Sequence, residues 1–190
     1  IKPTEIFEYV KQTKVLPKTS AINSVQYQEY FESLLKEYDA VIHVCLSSQI
    51  SSSCSHAVET AKEMKNVYVV DSKSLSTGIA LLAVYARELA STGATAEEVY
   101  EKTCAQVEKV QASFVIDRLD YLHKGGRCSV LALFGANLLK IHPQIMVKDG
   151  KMGVHKKYRG KMEKVIETYC HDCLQEFSNA NKKLAFITYT

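Results

Sequence analysis

Apolar residues recur along this chain in two rhythms, and the rhythms divide it. Tyr27, Tyr30, Phe31, Leu34 and Leu35 fall three and four apart, which predicts a helix with Asn23 or Ser24 as its N-cap. Residues 41–46 form a short apolar run of the kind that makes a buried strand. A helix is expected over 51–64 and a second strand over 67–70. Leu75, Ile79, Leu82, Ala86 and Leu89 give a longer helix that stops at Gly93. Thr95 with Glu98 three residues later is a capping box that opens another helix, running to about Val110. Strands alternating with helices predict an α/β fold whose first portion, residues 1–112, is a doubly wound parallel sheet.

After Ala112 the rhythm changes, and residues 113–190 predict a second, mixed or antiparallel α/β portion. Residues 113–117 read as a strand, Gly125-Gly126 as a tight turn, and 130–139 as a short helix. Residues 141–147 and 152–158 flank Asp149-Gly150, a pair that supplies the positive φ angles of a two-residue hairpin. A helix is expected over 160–177 and a last strand over 184–189.

With 46% hydrophobic and 24% charged residues the chain has material for a real core, and its net charge of +3 gives no reason to expect nucleic acid or an anionic membrane. No apolar run approaches the roughly 18 residues of a membrane span. The first eight residues carry acids and a proline and do not read as a secretory signal. Cys45, Cys54, Cys104, Cys128, Cys170 and Cys173 are scattered rather than framed, so free thiols in a reducing cytoplasm are expected.

Ligands of open α/β sheets bind beyond the carboxyl ends of the strands. The first strand is followed by six serines in nine positions, Ser47 to Ser55, and the second by Asp71-Ser72. Hydroxyls and free backbone N–H groups at a helix start make an anion site without a cation, but serine also caps helices everywhere, so both readings stand. Pro17-Lys18-Thr19-Ser20 is a second hydroxyl-bearing turn; Gly125-Gly126-Arg127 can aim a guanidinium at a ligand, and reads equally as a helix C-cap followed by a surface arginine.

Cys170-His171-Asp172-Cys173 has no second cysteine pair at zinc spacing and falls late in a helix, so neither a metal nor a redox role is expected. The basic run from His155 to Lys161 reads as a solvated strand end, and His43 and His142 as core or ligand-wall residues. No Ser-His-Asp order, P-loop or dinucleotide fingerprint is present.

Taken in order, Pro17-Lys18-Thr19-Ser20, the serine cluster, Val69 to Gly78, Leu119 to Arg127 and Arg159-Gly160-Lys161 resemble the DegV family over essentially the whole chain. The resemblance implies a fatty-acid carrier rather than an enzyme, a cytoplasmic monomer. It would hold one long-chain fatty acid, such as palmitate or oleate, in an apolar cavity and present its carboxylate to a fatty acid kinase. Thr19 and Ser51 would hold the carboxylate. Ser20, Ser48, Ser52, Gly126 and Arg127 would lie near the head group or brace its loops, and Arg159 would meet the phosphate or the partner. No cofactor besides the fatty acid is implied. The family pattern has Ser-Gly-Thr where this chain has Ser51-Ser52-Ser53, a substitution expected to restrict the backbone at 52. The pattern also begins with a strand before Ile1 and continues past Thr190, so a fold lacking both ends is expected. The competing reading is a serine-dependent hydrolase or transferase acting on an acyl or phosphate substrate, which needs a base beside the serine. A third is a protein-interaction module using the basic run.

Overall fold

A computed structural model describes residues 2–117, 121–122, 125–126 and 141–189. The helix expected over 130–139, and Arg127, lie outside them.

Two parallel strands, β1 (Val41–Cys45) and β2 (Val67–Asp71), pair in register from Val41 beside Val67 to Cys45 beside Asp71. Helices α2 (Ser24–Leu35) and α3 (Ser53–Lys62) cover one face, and α4 (Thr77–Ser91) and α5 (Ala96–Gln106) meet the strands from the other. Strand alternation sorts the core between them. Val41, Cys45, Val67 and Val69 join Tyr27, Phe31, Cys54 and Ala57. Ile42, Val44 and Val70 join Leu82, Tyr100 and Val107 on the opposite side. The caps are those the sequence specifies: Asn23 accepts from the Gln26 N–H at 2.9 Å, and Thr95 from the Glu98 N–H at 3.2 Å. An additional helix, α1 (Pro3–Thr13), precedes these elements, with Glu5 in its first turn and Lys14 in the left-handed conformation at its end.

The second portion is an antiparallel sheet of β3 (Ala112–Val115), β4 (Ile141–Lys148) and β5 (Lys151–Arg159), in the order β3-β4-β5. Asp149 and Gly150 form the hairpin tip with φ of 50° and 78°, as a tight primed turn requires. Pro143 sits in the central strand without breaking a ladder, because β3 pairs only as far as Gln144. His155 is the extra residue of a bulge, since Gln144 pairs with Lys156 and Ile145 with Val154. Helix α6 (Met162–Glu176) packs on the sheet through a polar seam. There the Tyr158 hydroxyl donates to Gln144 and Asp172, and the Tyr169 hydroxyl donates to the Ser113 carbonyl. The other face carries Phe114, Ile145, Met152 and Val154.

One expected element is corrected. Residues 184–189 are not a strand: they pair with no described strand, and Ile187 and Tyr189 are 86% and 93% exposed. Alternating apolar residues become a strand only where a neighbouring edge takes up their backbone groups. The tail has the pattern but no ladder.

Candidate functional site at the carboxyl ends of the parallel strands

Because β1 and β2 end side by side, the loops leaving them are packed together. The first, residues 46–52, winds directly into α3. Ile50 and Ser51 both donate their N–H groups to the Ser47 carbonyl, at 2.9 and 3.1 Å. The second, residues 72–76, enters α4 with Lys73 and Ser76 at positive φ, a strained geometry for residues other than glycine. The loops are joined by the Ser47 N–H, which donates to the Ser74 carbonyl, and by Asp71. The Asp71 carboxylate accepts the Ser48 N–H and hydroxyl and the Lys73 N–H.

At the start of α3 the hydroxyls form a chain. Ser51 Oγ accepts the Ser53 N–H at 3.2 Å and lies 3.0 Å from Ser53 Oγ. Ser53 Oγ accepts the Ile22 N–H at 3.1 Å. The buried Tyr27 phenol lies beside this serine, and burial, chiefly, holds its pKa above the ordinary value. A hydroxyl has one proton and two acceptor sites. Either serine can donate in the Ser51–Ser53 bond; with Ser53 donating, Ser51 accepts both the Ser53 hydroxyl and the Ser53 N–H, and its own proton is free to turn to a ligand.

Thr19 and Ser20 stand exposed in the loop between α1 and α2. That loop is stapled to α3 at Ile22, whose N–H reaches Ser53 and whose carbonyl accepts from His56 Nδ1 at 2.6 Å. Three residues separate Thr19 from Ile22, a reach of no more than about 11 Å. Val15 and Ile22 put exposed apolar side chains on the same loop.

The remaining predicted residues separate clearly. Ser48 spends its hydroxyl on Asp71 and so braces the loop. Ser52 has φ −69° and ψ −5°, ordinary helical values. The missing glycine therefore imposes no strain there, contrary to the expectation from sequence. Gly126 lies in a turn at φ 72°. Arg159 is exposed at the last position of β5, and the strand's nine residues carry it roughly 30 Å from the hairpin tip. The tip is the end that touches Ser47, so Arg159 is not brought to the hydroxyl cluster.

Sequence reasoning passed over two groups here. The helical period marks Tyr27 only as a core position, and Ser47 reads only as one serine of many. His43 and His142 prove to be packed residues. His43 lies against the Tyr27 and Phe31 rings, and His142 is buried with its ring nitrogens toward the Ile116 and Gly160 carbonyls. Cys170 and Cys173 lie inside α6, where Asp172 pairs with Tyr158 and Lys156. No group of three or more His, Cys, Asp and Glu among the described residues is placed to hold a metal ion. No helix among them is long and apolar enough to cross a membrane. A hollow of about 280 Å³ beside the hairpin is lined by Met146, Met152 and Val154 but rimmed by Lys148, Lys151 and His155. It is open, and it is not the apolar slot the sequence analysis expects.

A small parallel α/β unit with hydroxyl-bearing helix starts, joined to an antiparallel hairpin unit, defines the class. The chain belongs to the DegV family: the model of that family, described as "uncharacterised protein, DegV family", matches residues 1–189. A fatty acid-binding protein of Thermotoga maritima is 34% identical over 188 residues, 95% of this chain and 65% of the relative. Protein DegV of Bacillus subtilis is 35% identical over 167 residues, 86% of this chain and 59% of the relative. Among solved structures, a DegV lipid-binding protein from Thermotoga maritima superposes with a TM-score of 0.76 at 34% identity, covering 92% of this chain and 62% of that one. Bacillus subtilis DegV, described as a fatty acid binding protein, gives 0.75 at 29% identity, covering 93% and 63%. This chain thus spans a little under two thirds of the length of the relatives it matches.

Proposed function

We propose that this protein binds a long-chain fatty acid and holds its carboxylate at Ser51, with Thr19 closing on it from the neighbouring loop. The observation that carries the reading is the Ser51–Ser53 hydroxyl pair at the start of α3, where Ser51 accepts the Ser53 N–H and, with Ser53 donating to it, has its own proton to give to a ligand. The partial positive charge of a helix start favours an anion there. Relatives described as fatty-acid-binding, at 34% and 29% identity, support the ligand class.

The division of labour follows from the ligand. A tail of about 15 carbons, at about 0.8 kcal/mol per buried CH₂, offers roughly 12 kcal/mol before the costs of association. The acid group sets orientation, because burying it without donors costs several kcal/mol. Neutral hydroxyls stabilise the carboxylate without a permanent charge, and its oxygens remain able to attack a phosphoryl donor. Delivery to a fatty acid kinase in the cytoplasm, with Arg159 as a contact for the partner, fits that arrangement. A serine hydrolase fits less well: Ser51 and Ser53 bond to each other and to backbone, and His56 Nδ1 is committed to the Ile22 carbonyl. A nucleophilic serine needs a base on its hydroxyl.

Titration of the wild type, Ser51→Ala and Thr19→Ala with oleate tests the reading, with native mass spectrometry to detect retained palmitate or oleate. Each substitution is expected to weaken oleate by about 1–3 kcal/mol, the loss of one donor to a charged group. Unchanged affinity in both variants would discard the assignment.

A further inference from the structure

The hydroxyl loop is held from the far portion of the chain as well as from its own. The hairpin tip of the antiparallel sheet touches it: the Ser47 hydroxyl donates to the Gly150 carbonyl at 2.7 Å, across 103 positions of sequence. Ser47 is wholly buried, and every polar group it owns is used. Its hydroxyl also accepts the Gln49 N–H, its own N–H reaches Ser74, and its carbonyl takes the N–H groups of Ile50 and Ser51. The last bond fixes Ser51 to Ser47, so a shift of Ser47 carries the ligand hydroxyl with it.

Gly150 is fitted to this contact twice over. Its φ of 78° suits glycine, and a Cβ placed there would stand 2.7 Å from Ser47 Oγ and 3.0 Å from Gln49 Cγ. A side chain at 150 has to push the loop away or lift the hairpin off it.

We propose that Ser47 and Gly150 are positioning residues, and that the hairpin tip is the strut against which the Ser51 hydroxyl is set. The fatty-acid preference of the first portion therefore depends on the second portion being docked. This rests on the carboxylate reading above. It predicts a specific defect: variants at the strut lose affinity for the acid head group and keep affinity for the tail.

The test uses the full 190-residue chain, with oleate and methyl oleate as probes that share a tail and differ in the acid group. Gly150→Ala is expected to lower oleate affinity about tenfold, the effect of one misplaced donor, and methyl oleate affinity less than about twofold. Ser47→Ala is expected to reduce the oleate-over-ester preference in the same direction. Because both act through one contact, the double variant should lose little more than Gly150→Ala alone. Gly93→Ala is the control. It has φ 83° at the end of α4 with nothing within 4 Å of a new Cβ, so it strains the backbone without touching the loop. It should leave the preference unchanged.

Equal loss of acid and ester, or an unchanged preference in the folded strut variants, overturns the proposal. If Gly150→Ala does not fold, Ser47→Ala decides by the same ratio. Ser51→Ala and Thr19→Ala run beside them separate the two failures. If those leave oleate unchanged, the carboxylate reading falls and takes the strut with it. If they weaken oleate while the strut variants keep the preference, the strut alone is wrong.

Discussion

Ser51 has two physical duties that one substitution can separate. As a cap, its oxygen accepts the Ser53 N–H at 3.2 Å; as the proposed ligand group, its proton would go to the carboxylate. Ser51→Ala removes both. The lost cap costs about 1 kcal/mol of stability. For a chain of this size that is about 2–4 °C in Tm. The lost donor weakens oleate by about 1–3 kcal/mol. Ser51→Asp keeps the acceptor and adds a negative charge at the start of α3, which is neutral to stabilising by about 0.3–1 kcal/mol. It also has no proton to give at neutral pH, and it sets a charge against the ligand carboxylate. At about 4 Å that repulsion lies between about 1 kcal/mol in water and about 4 kcal/mol at a protein surface. The Asp variant should therefore fold as well as the wild type and bind oleate no better than the Ala variant. Thermal unfolding and oleate titration of both proteins give the answer. If binding tracks stability instead, poor in Ala and normal in Asp, Ser51 is a helix cap and nothing more.

Tyr27→Phe removes the hydroxyl beside Ser53 and should weaken oleate by about 1 kcal/mol, several-fold in the same titration; unchanged affinity would take Tyr27 out of the site. Burial holds His43 below the ordinary imidazole value of 6.5. The unfolded chain thus takes up that proton first, and stability is lost as pH falls through 6.5 toward the lower folded value. His43→Phe should shrink the drop in urea midpoint between pH 7.5 and pH 5, and an identical drop would contradict the assignment. Ser74 Oγ is buried and lacks a hydrogen-bond partner among the described residues, so Ser74→Ala should be neutral or stabilise by up to about 1 kcal/mol in urea unfolding. Gly78→Ala, whose Cβ would fall 2.0 Å from Ser74 Oγ, should cost about 1–3 kcal/mol, and less when combined with Ser74→Ala.

The sequence by itself determined what local rules can determine. Asn23, Thr95 and the Asp149-Gly150 pair name their caps and their turn because each interaction closes within a few residues. The alternation in residues 41–45 likewise sorts side chains between two helix layers, whatever those layers turn out to be. The order of hydroxyl motifs carried the family resemblance. Contacts across long stretches of chain were decided only by the tertiary structure. The Ser47–Gly150 bond and the staple of Ile22 to Ser53 and His56 join residues that no period links. The same limit explains the corrected element. Residues 184–189 have a strand's alternation, but a strand exists only where another edge accepts its hydrogen bonds. Arg159 follows the site motifs in sequence, and only the structure shows that an extended strand sets it roughly 30 Å from the tip that touches the serine loop.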